Sequence, residues 1–209
     1  RRTDDNNGSP IQIDRKLRGN LKADGLWNMN NKWRSGVNID VASDDQYLRQ
    51  YDFDSEDVLE NQLFVERFSG RNYAVGRVLA FQDVRVDQSQ REDQPSILPE
   101  IQAQFLGEPG DVPFLGGRWS LDASLLGLIR DNDGQDVDRA HTALGWERRF
   151  VSDLGFVSKV DASAQGSLYS INDRTGSQGS TTIKGNSIES RGFAYINAET
   201  SYPVVRNFE

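Results

Sequence analysis

The stretch "KLRGNLKADGLWNM", residues 16–29, decides how this chain is read. From Ile11 onward the odd positions are Ile11, Ile13, Arg15, Leu17, Gly19, Leu21, Ala23, Gly25, Trp27 and Met29. The even positions between them are Gln12, Asp14, Lys16, Arg18, Asn20, Lys22, Asp24, Leu26 and Asn28. Successive side chains of a strand point to opposite faces, so the alternation describes a strand with one dry face and one wet face. It runs well past the roughly five or six residues of an ordinary strand. Its dry face is rich in Gly and Ala. A position facing lipid is dry without close packing, so small residues cost less there than in a globular core.

The pattern recurs along the 209 residues, with almost no helical periodicity. Nine strands are expected, at 11–29, 32–43, 57–68, 73–86, 97–106, 117–130, 139–150, 155–171 and 191–201. Most exceed the ~9–11 tilted residues that cross a bilayer core. The connections alternate in length. The turns near 30–31, 69–72, 107–116 and 151–155 are assigned to one end, and the loops 44–56, 87–96, 131–138 and 172–190 to the other. The 107–116 connection is the imperfect member, too long for its set. Short turns on one side and long loops on the other mark an up-and-down membrane barrel. The expected fold is therefore all-β, an antiparallel up-and-down transmembrane barrel section, with residues 1–209 forming a single unit.

Composition agrees. Hydrophobic residues make up 36% of the chain and charged residues 27%. A barrel gives only alternate positions to lipid, so such a mixture is compatible with it. No run approaches the ~20 apolar residues of a membrane helix. The net charge of -8 argues against nucleic acid as a partner. Without cysteine there is no disulfide framework, thiolate metal site or cysteine nucleophile. The opening "RRTDDNNGSP" is not a signal peptide, so the chain reads as a mature or internal piece.

The block "ASDDQYLRQYDFDSEDVLENQLFVERFSGRNYAVG" carries a family resemblance. Ser43, Asp44, Asp45, Tyr47, Leu48, Arg49 and Tyr51 resemble the "SDD-x-YLR-x-Y" segment of the LptD (OstA) family of outer-membrane lipopolysaccharide-assembly proteins. "GRNYAV" (70–75), "LRGNLKADGLWNMNNKWRSG", "GGRWSLDAS" and "AETSYP" fit the same family, so the resemblance covers roughly residues 17–203. It implies a section of a very large barrel in the cell outer membrane that inserts lipopolysaccharide into the outer leaflet. It also implies a plug lipoprotein inside the barrel, and a periplasmic bridge that delivers lipopolysaccharide through a jellyroll domain. The chain shows no jellyroll segment and none of the family's cysteines, which reads as an internal piece of barrel wall. A passive porin or uptake barrel is the alternative, and a soluble periplasmic β-rich scaffold the third reading.

The candidate residues follow from these readings. Tyr47, Arg49 and Tyr51 are expected near a strand end. The tyrosines suit an interfacial aromatic girdle, while the arginine suits a lipid A or core phosphate; both roles stay open. Trp27 and Trp33 are expected as membrane-interface aromatics on the lipid face. A three-residue loop at 29–31 would place these two directly opposite each other. No enzyme, cofactor or metal is expected. His141, the lone histidine, lacks partners for zinc or a catalytic triad. "DNDGQDVD" (131–138) has acidic spacing but puts Asp136 where a calcium loop needs glycine.

Overall fold

The computed structural model describes residues 18–43, 47–52, 56–85, 94–130, 135–178 and 181–204, with backbone alone at 50, 173–178 and 181–184. Nine strands follow one another as β1 (Asn20–Asn28), β2 (Trp33–Ala42), β3 (Val58–Ser69), β4 (Asn72–Asp83), β5 (Ser96–Leu106), β6 (Arg118–Ile129), β7 (Asp136–Val151), β8 (Val157–Gln178) and β9 (Thr181–Ser201). One helical turn, α1 (Tyr47–Gln50), interrupts the series between β2 and β3. The strands form a single sheet in the order β1-β2-β3-β4-β5-β6-β7-β8-β9, and every neighbouring pair is antiparallel. The expected all-β meander is what the chain forms. Its connections necessarily alternate between the two ends of the sheet.

Three expectations are corrected. The first strand begins at Asn20; Arg18 and Gly19 are not strand, and positions 11–17 lie outside the described residues. The proposed loop 172–190 is mostly strand, because β8 continues to Gln178 and β9 starts at Thr181, the two pairing at the tip. The loop 131–138 is shortened, since β7 begins at Asp136, whose carboxylate accepts the Arg130 backbone N–H at 2.8 Å. Asp131, Asp133 and Gly134 lie outside the described residues.

Register sets which side chains share a face. Trp27 stands opposite Ser35, and Asn28 opposite Arg34. The expected Trp27–Trp33 pair is therefore shifted by two residues along the ladder. The cause is the turn, which uses residues 30–32 rather than 29–31. Asn30 accepts the backbone N–H of Lys32 (2.8 Å) and Trp33 (3.0 Å) through its side-chain oxygen, and Met29 N–H donates to the Trp33 carbonyl at 3.0 Å. This is an Asx turn, in which the side chain stands in for a backbone acceptor. The shift is by an even number of positions, so both indoles remain on one face. The β3–β4 turn is tighter: Ser69 pairs with Asn72, and Gly70 takes φ +61°. That conformation suits glycine at the first central position of a two-residue hairpin.

The ladder between β2 and β3 ends at Asn38 opposite Gln62. Beyond it, side-chain amides replace the missing partner strand. Asn61 accepts from the Asp40 N–H and donates to the Asp40 carbonyl, both at 3.0 Å. Gln82 does the same for Ala42, at 3.0 and 2.7 Å. A side-chain amide carries the same donor and acceptor as a peptide, so β2 can diverge without orphaning its backbone.

The buried apolar side chains among the described residues are few: Ala42, Leu48, Leu59 and Val84, with Tyr47 packed against them. They cluster under α1. By contrast Leu21, Trp27, Leu63, Leu125, Leu144, Leu168 and Ile196, on one face of the sheet, are all exposed. A soluble sheet needs a second layer over its apolar face. Among the described residues none is present.

Candidate functional site

The pleat and the register divide the sheet into two chemically different surfaces. One carries Leu21, Ala23 and Trp27 of β1, Val37 and Ile39 of β2, Leu63 and Val65 of β3, and Ala74 and Val78 of β4. It continues through Ile101, Leu121, Leu125, Leu144, Ala164 and Ile196. Depressions on this face are lined by small and aliphatic groups. One of about 410 Å³ lies between Val37, Ile39, Leu63, Val78 and Ala80. Among the described residues, mid-strand positions of this face are mostly aliphatic or small with an occasional Ser or Thr, while Asn61, Arg67, Asp138 and Arg148 stand nearer the strand ends.

The opposite surface is polar, and its side chains bridge every neighbouring pair of strands. Lys22 meets Asp40 at 3.0 Å between β1 and β2. Arg34 meets Glu66 at 2.5 Å between β2 and β3, and the Tyr73 hydroxyl donates to the other Glu66 oxygen at 2.9 Å. Arg77 makes a two-pronged contact with Glu100, at 2.6 and 3.0 Å, between β4 and β5. Gln104 donates to Asp122 at 2.8 Å. Arg118 meets Glu147 at 2.5 Å, and Lys159 lies 3.7 Å from Glu147 and 3.5 Å from Asp161. Asn197 donates to Asp161 at 3.3 Å, which closes the series at β9.

Most of these partners sit directly opposite one another in the ladder, where side chains approach closest. Planar guanidinium and carboxylate groups match in two-pronged geometry, as at Arg77 and Glu100. Each exposed pair contributes only about 0.2–1 kcal/mol. Their larger consequence is compositional: a wall with donors and acceptors at every strand junction, among which Phe64, Val75, Leu126 and Phe193 are interspersed. His141 belongs to this wall, with Nδ1 2.8 Å from Ser167 Oγ. Arg139 and Arg191 both lie over the Tyr169 ring, at 5.8 and 5.4 Å from its centre. The described residues hold no cluster of three or more His, Cys, Asp or Glu able to grip a metal.

All four tryptophans of the chain lie on the apolar face, near the turns of one end. Trp27 and Trp33 flank the β1–β2 turn. Trp119 and Trp146 stand directly opposite each other at the β5–β6 and β7–β8 end. The small residues queried in the sequence find a use here. A Cβ on Gly25 would come within 2.6 Å of the Trp27 ring, and one on Gly107 within 2.5 Å of the Trp119 indole nitrogen. The glycines are seats for indoles that lie flat along the strand. Trp119 and Trp146 were not singled out from sequence. The available signal was their position, since "GGRW" and "GWERR" place tryptophan near a strand end beside glycine and arginine.

Tyr47, Arg49 and Tyr51 lie at the other end, separated from the tryptophans by the length of the strands. They belong to α1 and the turn after it rather than to a strand end. The Tyr47 and Tyr51 rings are 5.1 Å apart, and the Arg49 guanidinium bonds the Asp57 carboxylate. Leu48, between them in sequence, is buried in the small core with Leu59 and Val84.

A family model described as LptD, LPS transport system D, matches residues 16–209. No curated protein matches the chain.

Proposed function

The chain belongs to the LptD family of lipopolysaccharide transport proteins, as a section of the family's barrel, and on that premise we propose that it forms part of the outer-membrane wall through which lipopolysaccharide is inserted into the outer leaflet. The family implies lipopolysaccharide as substrate and an outer-membrane setting. The observation that carries the finer reading is the division of the sheet. One face is hydrogen-bonded across all eight strand junctions, and the other is apolar and uncovered. A transmembrane barrel wall requires that division: lipid outside, water inside.

In this reading residues 1–209 are one contiguous piece of a larger barrel, without a separate domain. The polar face lines the lumen, where the sugars and phosphates of lipopolysaccharide and the surface of a plug lipoprotein are solvated in passing. Delivery over a periplasmic bridge lies outside this section. The wall acts by solvating and guiding its cargo, not by catalysis. Trp27 and Trp33 sit at the periplasmic headgroup level, with Trp119 and Trp146 completing the row. At the outer end Tyr47 and Tyr51 form an aromatic pair. Arg49 reaches a lipid phosphate there only by exchanging its bond to Asp57.

Photo-crosslinking amino acids test this in cells carrying the whole protein. Placed at Asn20 or Lys22 on the polar face, they should capture lipopolysaccharide or a lipoprotein plug. Placed at Leu144 on the apolar face, they should capture membrane lipid. Capture of neither cargo nor plug at Asn20 and Lys22, together with free passage of small sugars through the purified barrel, would favour a porin instead.

A further inference from the structure

The connection between β5 and β6, residues 107–117, is longer than the turns beside it at the same end. It is nonetheless ordered by its own bonds. Gly110 N–H donates to the Gly117 carbonyl at 2.6 Å, and Gly116 N–H to the Val112 carbonyl at 2.9 Å. Gly116 and Gly117 take φ +62° and +78°, a reversal that a side chain would resist. At its tip, Phe114 also has φ +65° and is fully exposed, and Leu115 beside it is exposed too. A bulky residue held in the left-handed region is strained. Among the described residues none covers the Phe114 ring, so nothing there offsets that strain.

The loop's outer contacts state which way it leans. The Trp146 indole donates to the Gly116 carbonyl at 2.8 Å, and Arg148 donates to the Leu115 carbonyl at 2.7 Å. Trp119 packs over Gly107. Trp119, Trp146 and Arg148 all belong to the apolar face. The loop is thus drawn over the side of the sheet that bears the tryptophan row, and away from the polar side.

We propose that Pro113, Phe114 and Leu115 form an interfacial anchor that inserts among the glycerophospholipids of the periplasmic leaflet. The proposal rests on the barrel reading above for the identity of the two faces. Burial of an exposed aromatic and a leucine in the headgroup and acyl boundary supplies the stabilisation the loop lacks in water. Continuity with the tryptophan row puts the tip at that depth. The exposed Arg148 guanidinium beside it is suited to a lipid phosphate. A protein docked in the lumen would need the tip on the opposite side of the sheet.

The test replaces Phe114 with a photoreactive phenylalanine analogue in the whole protein in living cells, followed by mass analysis of the adducts. Position 114 should yield phospholipid adducts several-fold above the same analogue at Gln104 on the polar face. A protein adduct, a lipopolysaccharide adduct, or a phospholipid yield no higher than at Gln104 overturns the anchor. The analogue at Leu144 separates the two ideas. Lipid adducts at 144 without any at 114 sink the anchor alone; lipid at neither position sinks the barrel reading that underlies it.

Discussion

The two ends of the sheet hold themselves in order by different means. At one end, turns are short or internally bonded, and all four tryptophans lie outward on the apolar face. At the other, α1 covers a small packed cluster in which Leu59 is 0% exposed, and β8 and β9 continue as a paired ribbon. One end leaves aromatics uncovered by the described residues, while the other builds a local core. On the barrel reading proposed above, the difference follows from environment. Indoles gain at a lipid interface, where the ring is dry and the N–H is wet. A segment projecting beyond the hydrocarbon must bury its own apolar groups or leave them in water.

Substitutions can break this comparison. The largest expected effect is at the packed end. Leu59→Ala should cost about 2–5 kcal/mol locally, as buried leucine truncations do. Limited proteolysis of the protein in vesicles should then cut near α1, while the turns carrying the tryptophans stay protected. Equal cleavage at both ends would show that the cluster does not stabilise α1 independently.

Leu144 is exposed in the middle of β7 on the apolar face. Leu144→Arg should destabilise the protein in bilayers by about 2–4 kcal/mol, the cost of a cation at membrane mid-depth. Ala143→Arg, one residue away on the polar face, should cost much less. Denaturant unfolding in vesicles measures both, and equal costs would reverse or abolish the assignment of faces.

A smaller effect is expected at the tryptophan end. In a double-mutant cycle, Trp119→Ala and Trp146→Ala should couple by about 0.2–1 kcal/mol, as directly opposed residues do. Zero coupling would mean that the row is held by lipid alone. Smallest is Arg77→Met on the polar face, which should lower stability by no more than about 1 kcal/mol because water takes over from the ion pair.

Much of this was legible in the alternation. Period-two patterning names the faces, and the rhythm of turn residues separates successive strands, so the nine-strand meander could be read before any coordinates. The candidate residues were less legible. Tyr47 and Arg49 sit in a helical turn, with Tyr51 just after it, because Leu48 is drawn into a cluster with Leu59 and Val84, a contact between distant segments that no local period reports. Trp119 and Trp146 become partners only through the β6–β7 register.

What the sequence by itself determined is parity: which side chains of each strand share a face, and hence that Trp27 and Trp33 lie on the same side. Alternation repeats every two residues, so sliding a strand by two leaves the pattern unchanged, and the choice among such registers falls to the turn. Here the Asn30 side chain made it, by bonding Lys32 and Trp33 and placing Trp27 opposite Ser35. The tertiary structure likewise decided that 172–190 is mostly paired strand. Its Ser, Thr, Asn and Gly composition reads as loop, because the segment carries no sustained alternation of apolar and polar residues. Backbone hydrogen bonds between β8 and β9 hold it extended, and they leave no mark in the side-chain pattern.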